Sequence, residues 1–328
     1  MSPKYLYKNL LILSAALALQ LAACTNSGNT FESTEQAHLR LADGSTISQA
    51  AYDDYSPIIV RLSNNYLALV FASTRSCPQS CSNHNIFVAS SVAAYNDMGV
   101  LPAFNTPQVI TANASPLNNT TRWRLAVQPS GTSIIVYAQS PGGQISSTGS
   151  INPVSATYIN VGASLNPITE YMCYTNNLLG LDAAGFMIAA NAAGTQTYRF
   201  NPNSVSGMCP TTGMTNPKLS TGTHISLMRQ TTTGIADGYI VSNTAGQVSA
   251  QSVTSAGPRL DWLELGLKAN GLIATGVSVM QGASESGDLI TFSAATAVGG
   301  QSDMYVLQSP RPRNLWSRYV AYGTQPVP

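Results

Sequence analysis

A short apolar run recurs at a near-constant interval along most of this chain, and that recurrence restricts the fold more than any other feature. The segments 67–73 (LALVFAS), 134–140 (IIVYAQS), 186–192 (FMIAANA), 239–245 (YIVSNTA) and 289–295 (LITFSAA) start apolar and end in small or polar residues. Their starts lie 67, 52, 53 and 50 residues apart. Helical periodicity is scarce, whereas short alternating runs bounded by Gly, Asn, Ser and Pro are frequent, which is the signature of strands. An alternating run precedes each segment across a turn, at 57–62, 122–128, 177–182, 225–230 and 272–280. A third follows at 85–91, 155–161, 194–200, 247–253 and 303–309, and a fourth at 107–112, 166–171, 216–221, 260–266 and 315–322.

Repeated four-stranded meanders at this period predict an all-β chain, a β-propeller of about five blades over 38–328, with six blades or a β-sandwich as alternatives. The physical reason is burial. One small twisted sheet cannot cover both of its faces, so neighbouring sheets stack and the ring closes. Trp123, Leu125 and Val127 share one face of their strand and Arg122, Arg124 and Ala126 the other. Fully apolar second strands such as Leu67 to Phe71 suit a sheet covered on both sides. The segment His38 to Ser48 carries the turn signal Asp43-Gly44 and is expected either to add an outer strand against the last blade or to mark an incomplete extra blade.

The N-terminus reads as an address. Lys4 and Lys8 precede the apolar stretch Leu10 to Ala23, which is short for a membrane span and suits a secretory signal over 1–23. It ends in Leu21-Ala22-Ala23-Cys24, which resembles the lipobox of bacterial lipoproteins. The resemblance implies cleavage before Cys24, acylation of Cys24, and an anchor in the membrane of the cell envelope. Thr25 rather than Asp after the cysteine implies the outer membrane, with the side of that membrane left open. The polar stretch within 24–37 reads as a tether. The segments 62–73, 84–91 and 101–110, with Cys77 and Cys81, also resemble spirochaete lipoproteins of the leptospiral type.

Composition narrows the partners. Charged residues make up 9% of the 328 and hydrophobic ones 44%, so the chain is not of the highly charged disordered kind. Removing Lys4 and Lys8 leaves 13 basic residues against 14 acidic ones, a net charge of −1. That leaves no electrostatic footprint for nucleic acid and no polybasic membrane site.

Five cysteines divide into Cys24 and four others. In an exported chain Cys77 and Cys81 are expected to pair. That leaves Cys173 and Cys209 as partners, although the strand order puts them at opposite ends of a blade; they are paired or both free. Cys77, Cys81 and His84 also have a C-x₃-C-x₂-H spacing, but no fourth ligand lies near, so no metal and no cofactor is expected.

No nucleophile elbow, phosphate loop or zinc motif is present, and Gly282-Ala283-Ser284-Glu285-Ser286 reads as a hairpin turn. Asp53, Asp54, Asp182, Asp261 and Glu264 are the candidates for a glycosidase carboxylate pair, and nothing in their spacing shows that any two converge. The connections between second and third strands read long at 74–84, 141–154 and 296–302, and short in the other two repeats. In a ring of five these repeats are neighbours, so their loops would form one patch, with Arg75 and His84 as its distinctive groups. The chain is thus expected to bind a protein or glycan there without catalysis. A propeller glycosidase and a periplasmic scaffold for envelope assembly are the alternatives.

Overall fold

In the computed structural model the described residues run almost without a break through 36–110, 123–153 and 301–307, with gaps at 50, 76–84, 98–99 and 140–144; from 154 to 300 they are the strands named below. They are all-β. Strand β1 (Gln36–His38) comes first. The first sheet then runs β2 (Asp54–Arg61), β3 (Leu67–Ser73), β4 (Asn85–Ser90) and β5 (Gln108–Val109), and the second β6 (Arg124–Ser130), β7 (Ser133–Gln139), β8 (Ile145–Ile151) and β9 (Asn166–Pro167). The third comprises β10 (Asn177–Leu181), β11 (Met187–Ala190), β12 (Gln196–Phe200) and β13 (Met214–Thr215). The fourth holds β14 (His224–Met228), β15 (Gly238–Ser242) and β16 (Val248–Thr254), with β17 (Gly257–Pro258) and β18 (Leu263–Leu265) both paired to β16. A small hairpin, β19 (Lys268–Ala269) and β20 (Leu272–Ile273), leads into β21 (Thr275–Met280), β22 (Leu289–Ala295) and β23 (Ser302–Leu307). Every ladder between these strands is antiparallel, and the first three sheets are simple meanders.

The last sheet takes its fourth strand from the front of the chain. Its order is β1-β23-β22-β21, with Gln36 to His38 paired to Leu307 to Tyr305. An outer strand does close the last sheet, but of the segment expected to supply it, His38 to Ser48, only His38 takes part. The strand begins within the stretch read as a tether, at Gln36. The strand expected at 315–322 lies outside the described residues, and β1 fills that place in the sheet.

Alternation along the strands decides how the sheets stack. In the first sheet Ile58, Ala68, Val70, Ile86 and Val88 face Trp123, Leu125, Val127, Ile134 and Val136 of the second sheet. Their sequence neighbours Ile59, Leu67, Leu69, Phe71 and Phe87 face the opposite way, onto Met280, Leu289, Met304 and Val306 of the last sheet and Leu39 and Ile47 of the N-terminal segment. The second sheet repeats the device, turning Ala126, Tyr137 and Ile145 onto Leu178, Met187 and Ala189 of the third. Strands apolar on both faces are therefore explained by two covering neighbours, which is not the single pairing of a sandwich. The first strands pack in cyclic order: β2 beside β6, β6 beside β10, β10 beside β14, β14 beside β21, and β21 beside β2.

Turns follow their residue types. Asn65 sits at φ 64° after Asn64 in the β2–β3 hairpin, and Gly131 at φ 61° in the β6–β7 hairpin, conformations that Asn and Gly tolerate best. One strand differs from expectation. The third strand of the second sheet is Ile145–Ile151, inside the stretch read as a long loop, while 155–161 lies outside the described residues. A bulge conceals it. Thr148 and Gly149 together oppose Val136, Gly149 is at φ 70°, and the Thr148 hydroxyl accepts the Val136 N–H at 3.1 Å. The extra residue breaks the period-two pattern, so Ile145 and Ile151 end in different cores.

Candidate functional site

The antiparallel order puts the start of each first strand, the end of each second strand and the start of each third strand at one end of a sheet. Direct hydrogen bonds show that the last, first and second sheets are aligned in the same sense. The backbone N–H of Ser302 donates to Asp53 Oδ1 at 2.9 Å, and Gln301 Nε2 to the Ala51 carbonyl at 3.1 Å. The Asp53 N–H donates to Thr74 Oγ1 at 2.8 Å, tying the entrance of β2 to the exit of β3. Further in, the Ser56 N–H donates to Ser293 Oγ and the Thr291 hydroxyl to the Pro57 carbonyl, at 2.8 and 2.7 Å. On the other side the Trp123 N–H donates to the Tyr55 hydroxyl at 3.1 Å.

Within this end, the carboxylates singled out in the sequence are committed to structure. Asp54 is fully buried. Its Oδ2 accepts from Arg75 Nη2 at 2.7 Å and from the Gln49 N–H at 3.0 Å. Arg75 also donates to the Ile47 carbonyl at 2.9 Å and to Ser73 Oγ at 3.1 Å, and its guanidinium lies 5.0 and 5.4 Å above the rings of Phe71 and Phe87. Arg75, read as a loop ligand group, is thus buried over the core between the first and last sheets. Burial of a cation there requires a paired anion, and Asp54 supplies it. Asp53 is half-buried, with one oxygen on Ser302. Neither geometry suits proton transfer to a substrate: one carboxylate is sealed, and the other is bonded to backbone.

Asp303, opposite Ala294 in the last sheet, has its pKa raised, first by burial and then by the nearby Asp54 charge, with His38 acting against them. His38 packs on the Tyr305 ring at 4.6 Å. Glu264 pairs with Ser249 in the fourth sheet. Cys24, Cys77, Cys81, His84, Cys173, Cys209, Asp182 and Asp261 lie outside the described residues. Among the described residues no cluster of His, Cys, Asp and Glu could hold a metal ion, and no helix is long and apolar enough to cross a membrane.

The ladders show one further group that sequence reading passed over. The pairs Asp54–Ser73, Arg124–Gln139, Asn177–Ala190, His224–Ser242 and Thr275–Ser293 open the ladder between first and second strands in each of the five sheets. At the second sheet, Gln139 Oε1 accepts the Leu178 N–H at 2.6 Å and Arg124 Nη1 donates to the Leu178 carbonyl at 3.4 Å. Both bonds cross to the third sheet. Arg124 is half-buried, and desolvation holds its pKa below the usual arginine value. The signal was present in the sequence: Arg124 alternates with Leu125 on a face that a neighbouring sheet must cover.

Strand spacing revises the loop pattern. Residues 74–84 separate β3 from β4, a long connection as expected, whereas 296–301, also read as long, separate β22 from β23 and scarcely exceed the connections of the remaining sheets. Residues 140–144, 191–195 and 243–247 separate the corresponding strands of the other three sheets. The second sheet's connection is therefore shorter than read, and those of the third and fourth are longer. Only the first sheet's is distinctly long.

No protein-family model matches the sequence, and no curated protein does. Among solved structures, the chain is similar to a protein of unknown function from Dyadobacter fermentans (TM-score 0.42, 9% identity, 83% of this chain and 97% of that one). It is similar to a GH43_1 enzyme from Xanthomonas citri (TM-score 0.49, 8% identity, 79% and 88%). It is also similar to GH43B of a Bacteroides ovatus xyloglucan locus (TM-score 0.47, 10% identity, 80% and 53%).

Proposed function

We propose that this chain is a lipoprotein of the cell envelope, anchored in the outer membrane through acylated Cys24, whose body is a five-bladed β-propeller that binds a protein or glycan ligand. Five antiparallel sheets with cyclically packed first strands, and an N-terminal strand completing the last sheet, support the propeller. The binding reading rests on one observation above others: the loop-bearing ends of the last and first sheets are hydrogen-bonded side by side, through Asp53, Ala51, Gln301 and Ser302. Segments 74–84 and 296–301 therefore leave the rigid scaffold from adjacent points, an arrangement suited to recognition. Asp54 serves as the partner of Arg75, which favours a binding role over carboxylate catalysis.

Two measurements test this. Metabolic labelling with an alkynyl fatty acid marks the wild-type chain and not Cys24→Ala; equal labelling overturns the anchor. A glycan and envelope-protein array probed with the wild type and with a variant shortened in 76–84 and 296–300 reads the face. Capture lost in the shortened, still-folded variant supports the reading, and capture unchanged overturns it.

A further inference from the structure

We propose that the end of the protein opposite the loops seats on the phospholipid bilayer that holds the anchor, so that the loop-bearing face points away from that membrane. The inference rests on the Cys24 anchor proposed above and adds the orientation of the body on it. Strand polarity is the first observation. The last and first sheets run in the same sense, since Ser302 and Gln301 bond to Asp53 and Ala51 at the loop-bearing end. Ser302 opens β23 and Leu307 closes it, so Leu307 lies at the opposite end. Gln36 pairs with Leu307, and His38 with Tyr305. The chain from Cys24 therefore enters the last sheet at the end away from the loops. Gln36 lies 12 positions after Cys24, a reach of at most about 40 Å. The eight residues of β2 give the first sheet a height of about 26 Å. Setting the loop face on the bilayer would spend most of that reach in running back along the sheets, whereas setting the opposite end down spends none of it.

The surface at that end is the second observation. The β2–β3 and β6–β7 hairpins lie there side by side, the Ser63 N–H donating to the Gly131 carbonyl at 2.9 Å. The β4–β5 connection starts from the same end: the Ser91 N–H donates to the Leu67 carbonyl, the Val92 N–H to the Ala103 carbonyl, and the Tyr95 N–H to the Asn65 carbonyl of the β2–β3 turn, at 2.9, 2.8 and 2.8 Å. Val92 and Val100, 43% and 81% exposed, are the exposed large hydrophobic residues among the described residues, and both stand on this connection. Single exposed valines are ordinary on a protein surface; these two share one loop at the end where the anchor's chain enters. Among the described residues of the two hairpin turns and this connection, the one charged side chain is Asp97, and Arg61 neutralises it. An uncharged surface with protruding aliphatic groups enters the headgroup zone with little desolvation of charge, and its modest apolar area suffices once an acyl anchor already holds the membrane close.

The test places the acylated full chain in phosphatidylcholine vesicles that contain a phosphatidylcholine with a diazirine near the head of its acyl chain. After irradiation, lipid adducts are mapped by mass spectrometry. The expected result is adducts in 92–103 and in the turns 62–66 and 130–133, with few at 51–53 and 301–302. In the double variant Val92→Asp/Val100→Asp, adducts in 62–66 should fall on the order of fivefold. Adducts concentrated at 51–53 and 301–302, adducts spread evenly over both ends, or none outside the anchor overturn the proposal. So does a folded double variant with the wild-type adduct pattern; if that variant does not fold, the wild-type map decides. Cross-links between two copies of the chain through 92–103, in place of lipid adducts, assign the surface to self-association and overturn the lipid. A chain that takes the alkynyl fatty-acid label but fails this map refutes the orientation and leaves the anchor standing; absence of the label removes both.

Discussion

Breaking the Asp54–Arg75 pair should cost far more than an exposed ion pair could. Asp54 is 0% exposed and Arg75 8%, and the 2.7 Å bond between them is capped by Phe71 and Phe87. Exposed pairs contribute about 0–1 kcal/mol, whereas removing one member of a buried pair costs about 3–5 kcal/mol because the other charge stays buried. Asp54→Ala also strips the Gln49 N–H of its acceptor. Each single variant, Asp54→Ala or Arg75→Leu, is expected to lose about 3–5 kcal/mol. At about 2 °C per kcal/mol for a chain this long, that is a fall in Tm of about 6–10 °C. The double variant should lose clearly less than the two singles together, since no lone charge remains. The assay is urea and thermal unfolding followed by circular dichroism. A single variant within about 1 kcal/mol of wild type, or strict additivity, would refute the structural assignment of Asp54 and reopen its use as a chemical group.

Three further outcomes follow from the same geometry. Deleting Gln36–His38 bares the edge of β23 and should both lower Tm and produce oligomers by size-exclusion chromatography; a monomer of unchanged stability would contradict the closure. Gly276→Ala places a Cβ 3.1 Å from Ser56 Cα and Oγ at φ 56°, so it should cost more than Gly149→Ala, which at φ 70° meets open space; equal losses in chemical denaturation would contradict the close approach of β2 and β21. Asp303 has its folded pKa raised above the unfolded value of 3.8, so the folded state binds its proton more tightly. Its favourable contribution is fully present below pH 3.8 and is lost as pH rises through the raised folded value. Asp303→Asn should therefore raise Tm near pH 7 and change it little near pH 3; the opposite pH pattern in thermal melts would refute the assignment.

Much of the fold was legible because burial imposes it residue by residue. Leu67–Ser73 and Leu289–Ala295 read as second strands because each is covered on both faces, and the strands begin and end at those residues. The N-terminal outer strand was legible only as one of two options, since nothing in His38 to Ser48 names its partner on β23. The third strand of the second sheet was hidden by the Gly149 bulge, which resets the alternation between Ile145 and Ile151. The site was less legible than the fold. Asp53, Asp54 and Arg75 stood out by chemical type, but sequence does not show that Asp54 and Arg75, 21 positions apart, neutralise each other. Arg124 was visible as a charge on a face that had to be covered, and its meaning required knowing that the third sheet covers it.

The central claim is a closed ring of five sheets whose loop-bearing ends make one face. A crystal structure of residues 36–328 tests it most directly. The account predicts β2, β6, β10, β14 and β21 around one axis, β1 on β23, the Asp54 carboxylate on Arg75, and Arg124 at the seam between the second and third sheets. A sixth sheet between the last and the first, two sheets packed as a sandwich, or an Asp54 carboxylate open to the central cavity would contradict it.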